Sequence, residues 1–259
     1  MLENLRELLK FRALIAALVA RHLSMRYRGS LLGFLWSFLN PLCLMLVYTL
    51  VFRYYIRFNE IENYTIFVFC GLLPWIWISS GLLEGTSSIV SSGHLITKSM
   101  FPAHVLPLVS ALTSMINFLL SLPLLFLFMY AAGIPFYASL VVLPLCIIMQ
   151  LIFVFGLSLA LGSVNVQFRD VQHILGNFLT FLFFLCPIVY SAATVPSTFR
   201  FTLHINPFAS LLMMYHSLIM DGVVPPLIDF VYVGAWALLS LLIGNMLYNR
   251  YRDGFAELL

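Results

Sequence analysis

Between Leu31 and Phe52 the chain runs for about twenty residues without a charged side chain, and directly before that run stand Arg21, Arg26 and Arg28. At ~1.5 Å of rise per residue, a helix of that length crosses a hydrocarbon core ~30 Å thick. The run therefore reads as a membrane span. The preference of Lys and Arg for cytoplasmic flanks places the amino terminus inside, so the first crossing runs outward.

The rest of the chain repeats the pattern. Only 9% of its residues are charged and 62% are hydrophobic, whereas a soluble domain carries ~25% charged residues. Apolar runs at 31–52, 64–83, 103–130, 137–162, 171–190 and 227–248 give six spans in a single transmembrane domain over residues 1–259. Pro107 and Pro123 are expected to bend the third span. Residues 131–135, Ala-Ala-Gly-Ile-Pro, form a tight outer hairpin. Residues 86–102, rich in Ser, Gly, His and Lys, read as an inner loop with room for one short helix. Between Ser191 and Pro226, two apolar pieces divided by Asn206-Pro207 are each too short to span, and read as half-helices dipping in from outside. Residues 1–28 mix Glu3, Glu7, Arg6 and Lys10 with a short apolar run and lack a small-residue cleavage pattern, so they suggest an amphipathic helix lying at the interface, not a signal peptide. The expected class is an all-α, polytopic membrane protein.

Of the 13 Lys and Arg residues, only Arg53, Arg57 and Arg200 fall on the outer side of this scheme, which supports two cytoplasmic termini. The net charge of +3 is topological, because the basic residues sit at the ends of apolar runs and form no patch of the kind that binds nucleic acid. Cys43, Cys70, Cys146 and Cys186 lie singly in separate apolar segments, and the six His residues are scattered, so neither a metal site nor a disulfide framework is indicated. The sequence contains no Gly-x-x-x-x-Gly-Lys-Ser/Thr phosphate loop and no nucleophile elbow. An integral-membrane enzyme acting on polyprenyl-linked sugars would need paired acidic or His residues at a boundary, and the sequence offers isolated ones. An ion-coupled carrier would show ionisable groups at mid-span or inverted repeats, and the spans are nearly free of charge.

Five segments in order carry a resemblance: Arg26 to Pro41, Phe101-Pro102 with Leu106-Pro107, Phe168-Arg169-Asp170-Val171, Cys186-Pro187-Ile188-Val189-Tyr190 and Asn206-Pro207-Phe208. Together they look like the signature of type-2 ABC transporter permeases that export polysaccharides. The resemblance implies a homodimer in the bacterial inner membrane, served by two copies of a cytoplasmic ATPase subunit that binds the ATP. It also implies a lipid-linked polysaccharide, O antigen in preference to capsule or teichoic acid, passing through the dimer interface. No cofactor of its own is expected.

Candidate site residues fall in three groups. In the first span Phe34, Phe38, Met45, Tyr48, Phe52 and Tyr55 recur at helical steps, either as packing or as an aromatic wall along which sugar rings slide. Asn177, Thr180, Phe181, Phe184 and Tyr190 offer a second wall in the fifth span. At the inner side, Arg26 and Arg28 are either topogenic anchors or contacts for an anionic headgroup, and Arg169-Asp170 is either a local pair or cap or an inner gate. Glu84, near the inner end of the second span, is a functional suspect because a buried carboxylate is costly. Ser92, Gly93, His94, Leu95, Ile96 and Lys98 make up the short inner helix, an ordinary loop by composition and the helix that docks on the ATPase by resemblance.

Overall fold

The computed structural model describes residues 7–27, 29–57, 61–98 and 101–259. Among them every regular element is helical. The helices are α1 (Arg12–Tyr27), α2 (Trp36–Tyr48, continued by a π-helical stretch Thr49–Tyr55), α3 (Tyr64–Ser91), α4 (Gly93–Lys98), α5 (Val105–Ala131), α6 (Leu143–Asn165), α7 (Asp170–Leu185), α8 (Arg200–Ile205), α9 (Pro207–His216), α10 (Leu227–Tyr251) and α11 (Phe255–Leu258). Five helical segments among the described residues are long and apolar enough to cross a membrane: Trp36–Tyr55, Tyr64–Ser91, Val105–Ala131, Ala138–Asn165 and Leu227–Gly254. The remaining expected span, the fifth, is α7, which is apolar but has only 16 residues, roughly 24 Å of helix, short of the ~30 Å core.

α3 is the hub, and it corrects the expected boundary of the second span. Residues 86–91 continue the helix instead of starting a loop. Their Ser and Gly content misleads because both serve a packed helix here. The hydroxyls of Ser80, Ser87, Ser88 and Ser91 donate to carbonyls three or four residues back, so none asks the backbone to unwind. Gly81 and Gly85 let α6 approach, since a Cβ at Gly85 would stand 2.6 Å from the Ser158 side chain. Ser158 in turn donates to the Gly81 carbonyl at 3.1 Å. Gly162 of α6 closes against the Gly85 carbonyl in the same way.

A second close crossing joins α6 to α10. A Cβ at Gly156 would lie 2.5 Å from the Leu241 nitrogen, and one at Gly244 would overlap the Gly156 carbonyl oxygen. Ser240 donates across the gap to Phe153 O at 3.3 Å. Two amides lock the block further: buried Gln150 donates to Pro74 O at 3.0 Å, and buried Asn165 donates to Thr86 O at 3.1 Å. The fourth and sixth spans thus run on to Asn165 and Tyr251, past the expected Gly162 and Tyr248.

Other boundaries follow from proline. α7 stops at Leu185, short of the expected Tyr190, because Pro187 holds Cys186 in extended backbone (φ −105°, ψ 143°). Pro107 falls in the first turn of α5, where its missing N–H costs nothing, while Pro123 lies inside the helix. Asn206-Pro207 divides two short helices as expected. The Asn206 side chain caps α9 by accepting from Phe208 N at 3.0 Å, with Pro207 as its first residue. α9 is buried, with Leu211, Leu212 and Tyr215 fully enclosed, whereas α8 leaves Phe201 and Ile205 exposed.

The loops sort to two ends of the bundle. At one end α1 seats Ile15 and Val19 on Val105 and Val109 of α5. Nearby, His104 meets Glu7 at 3.8 Å and the Tyr248 hydroxyl at 3.2 Å, and Phe255 packs on Tyr248. At the other end the Tyr64 hydroxyl donates to Val189 O at 2.7 Å, His216 stacks on Phe67, and Ser139 donates to Leu218 O at 2.7 Å.

Candidate functional site

The aromatic residues of α2 do not share one face. Met45 is buried in the core. Tyr48 stacks on Phe183 of α7 with ring centroids 5.2 Å apart, and Phe52 packs beside Tyr64, Phe67 and Val68. Phe38 is half-buried, while Tyr55 projects outward and is exposed. The register changes because the helix widens to a π turn from Thr49, where Ile56 N bonds Val51 O at 2.9 Å, so residues beyond it are rotated relative to a 3.6-residue period. Phe34 belongs to the same expected stripe, but its side chain lies outside the described residues, as do those of Arg26 and Lys98 and the whole of Arg28.

α7 behaves differently. Asn177, Thr180, Phe181 and Phe184 are spaced by three or four residues and are all exposed on one face, opposite the buried Leu175, Leu179, Leu182 and Phe183. This face carries an amide, a hydroxyl and two largely exposed rings, of which Phe184 meets Phe183 edge-on. Tyr190, beyond the end of α7, is half-buried and returns its hydroxyl to Phe184 O at 3.2 Å.

At the junction of α6 and α7 Arg169 and Asp170 are both exposed, and no ion pair joins them among the described residues. Asp170 sits in the first turn of α7, where a carboxylate favours the helix dipole. The capping contact comes from Asn165, whose Oδ1 accepts from Gln172 N at 3.3 Å while its Nδ2 holds α3. Asn165 thus ties three helices at one point, a role that sequence reasoning missed although the residue stood three before the Phe168-Arg169-Asp170-Val171 segment. Glu84 is half-buried on α3.

The short helix expected between the second and third spans is α4. Ser92 breaks it from α3, Gly93 is buried, His94 is exposed, and Leu95 and Ile96 are half-buried. A Cβ at Gly93 would stand 3.0 Å from Leu259 Cβ, so the segment following α11 rests directly on α4. The arrangement therefore presents an exposed side chain, His94, on a helix clamped from behind and continuous, through one residue, with the central helix of the bundle.

Comparison with known proteins fits these features. Residues 13–220 match the family described as ABC-2 type transporter. The O-antigen export system permease protein RfbA of Myxococcus xanthus is 40% identical over 259 residues, 99% of each chain. A protein of the same description from Klebsiella pneumoniae is 31% identical across 95% of each chain. The polysialic acid transport protein KpsM of Escherichia coli is 23% identical, covering 92% of this chain and 93% of its own. With most of its length matched by the family and near-complete coverage of relatives above 30% identity, this chain belongs to the ABC-2 type transporter family.

Proposed function

We propose that this chain is the membrane subunit of an ATP-driven exporter that carries lipid-linked polysaccharide, O antigen in kind, outward across the bacterial inner membrane. The observation that carries this reading is the 40% identity along 99% of both chains to an O-antigen export permease. The relation to a polysialic acid transporter is more distant at 23%, so a capsular polymer is the second reading.

The chain's own residues suggest how the work is divided. With no phosphate loop in its sequence, the chain leaves nucleotide to a separate ATPase subunit docked at α4. Two copies form the path, lined by the exposed polar and aromatic face of α7. Repeated weak contacts with rings and amides let a long polymer slide without a fixed register. Arg26 and Arg28 meet the anionic headgroup of the lipid carrier at the inner surface. The end that gathers α1, α4, His104 and α11 faces the cytoplasm, and the segment 191–226 closes the outer exit. Six crossings with both termini inside complete the topology.

Deleting the gene should abolish surface O antigen, with polymer accumulating inside, and the chain supplied together with its ATPase should restore it. ATP hydrolysis by the purified chain alone, or surface polymer unchanged by the deletion, would overturn the reading.

A further inference from the structure

A groove of about 590 Å³ runs between α1 and α5. On α5 it is walled by Leu108, Leu112 and Ile116, which recur every four residues and form one line ~12 Å long, starting three residues into the helix. On α1 it is bordered by Ala16 and Ala20, both exposed, whose small side chains leave it open. The buried seam beside it consists of Ile15 and Val19 against Val105 and Val109. Every residue of the lining is apolar except Arg12.

Arg12 is the first residue of α1 and stands one turn before Ala16 on the same face, so its guanidinium marks one end of the groove. It is exposed and pairs with no carboxylate among the described residues. Lys10 and Arg21 add two exposed cations to the same stretch of chain. Its one described carboxylate, Glu7, lies toward His104 at 3.8 Å.

Four occupants can be compared on that chemistry. A packing defect does not fit, since interiors leave few voids larger than a water molecule and this groove opens outward. A sugar would meet hydrocarbon on every side but one, leaving its hydroxyls desolvated without partners. A zwitterionic lipid would fill the groove with an acyl chain but bring an ammonium toward three cations. An amphiphile with a hydrocarbon chain and an anionic head matches both parts. Its chain follows the line of α5, its phosphate takes the Arg12 guanidinium, and Lys10 and Arg21 add attraction.

We infer that the groove between α1 and α5 holds one acyl chain of an anionic glycerophospholipid of the inner leaflet, with the lipid phosphate on Arg12. The inference rests on the reading of the chain as a membrane permease whose α1 end faces the cytoplasm. The lipid acts as a strut that extends the seam of Ile15, Val19, Val105 and Val109 and fixes α1 against α5.

The test uses the full chain, purified and delipidated in detergent, with lipid adducts counted by native mass spectrometry. Dioleoyl phosphatidylglycerol should bind at least tenfold more tightly than dioleoyl phosphatidylcholine, whose acyl chains are the same. Arg12→Gln should abolish that preference, whereas Arg250→Gln, which removes an exposed cation outside the groove, should keep it. Ala16→Phe/Ala20→Phe should fill the groove and weaken phosphatidylglycerol binding at least tenfold. Arg12 is exposed, so its variant keeps the test open if the double variant fails to fold. A polyprenyl phosphate added in equal amount should leave the phosphatidylglycerol in place. Equal binding of the two phospholipids, a preference unchanged in Arg12→Gln, full binding by a folded double variant, or displacement by the polyprenyl phosphate would each overturn the site. Export in cells is scored separately, so loss of the lipid preference leaves the export reading standing, and loss of export with the preference intact sinks that reading alone.

Discussion

The structure separates two aromatic walls that the sequence could not rank, and leucine substitutions test the separation. Tyr48 is half-buried and stacks on Phe183 at 5.2 Å with planes 25° apart. Tyr48→Leu keeps most of the apolar volume and removes the ring pair, worth ~0.5–1.5 kcal/mol. A loss of ~1 kcal/mol lowers the folded-to-unfolded ratio about fivefold, so the variant should yield less folded protein while each folded transporter exports normally. Phe181 and Phe184 are 68% and 57% exposed, and Phe184 meets the edge of Phe183. In a bilayer Leu and Phe insert with similar free energies, so Phe181→Leu/Phe184→Leu should leave the folded amount within ~0.5 kcal/mol of wild type. If sugar rings slide along α7, export should fall at least threefold. The measurement is surface polysaccharide divided by monodisperse transporter, the latter from size-exclusion chromatography of a fluorescent fusion. Normal export per folded transporter in the α7 double variant, or a specific export defect with full folding in Tyr48→Leu, would refute the assignment.

Three further outcomes are expected. Gly156→Ala places a Cβ about 1 Å inside ordinary contact with the α10 backbone and should destabilise the fold by ~1–3 kcal/mol; Gly234→Ala, whose Cβ would meet Met149 Cε at 3.7 Å, is the control and should be neutral in thermal unfolding. Gly93→Asp should displace the Leu259 side chain and lower polymer exported per ATP hydrolysed in the assembled transporter while leaving chain abundance unchanged, and an unaltered ratio would remove α4 from the coupling path. With Cys43 replaced, a short thiol crosslinker joining Tyr48→Cys to Phe183→Cys should arrest export, whereas one joining Phe153→Cys to Ser240→Cys should not, because only the first pair bridges helices held by side chains alone.

Much of the bundle was legible because apolar runs carry its helices. Asn206-Pro207 marked the division between α8 and α9, and the Ala-Ala-Gly-Ile-Pro turn marked the end of α5 at Ala131. The errors have specific physical origins. The Ser and Gly residues of 86–91 look the same whether they solvate a loop or allow two helices to touch, and only the facing Ser158 and Gly162 decide between them. Tyr48 and Tyr55 are seven residues apart, a good helical repeat, yet a π turn between them turns one inward and the other out. The stop at Leu185 was readable from Pro187, but hydropathy carried the expected span five residues further. The residues expected to share a face on α7 do so from Asn177 to Phe184, where the helical period is unbroken, while Tyr190 falls beyond the helix end. The Gly156-x-x-x-Ala160 and Ser240-x-x-x-Gly244 spacings were present in the sequence and are the signal that would have paired α6 with α10.

The distribution of small residues also explains which parts of the chain are fit to move. α3, α6 and α10 meet through backbone-to-backbone approaches at Gly85, Gly156, Gly162 and Gly244, reinforced by Ser158, Ser240, Gln150 and Asn165. Contacts of that type have one good geometry, since a shift of about 1 Å breaks both the packing and the cross-helix hydrogen bonds. α2 and α7 are attached otherwise. α2 reaches the block through side chains such as Met45, Tyr48 and Phe52, and α7 through Leu175, Leu179, Leu182 and Phe183. Side-chain contacts between apolar and aromatic surfaces tolerate sliding and rotamer exchange, because they are nearly non-directional. The short helix α4 is joined to α3 through Ser92 alone and is braced from behind by Leu259, so a force applied at His94 is delivered to the rigid block. The two helices free to yield against that block are those that hold the candidate aromatic walls, so in the proposed function the compliant surface would meet the polymer and the stiff one would stand behind the ATPase contact.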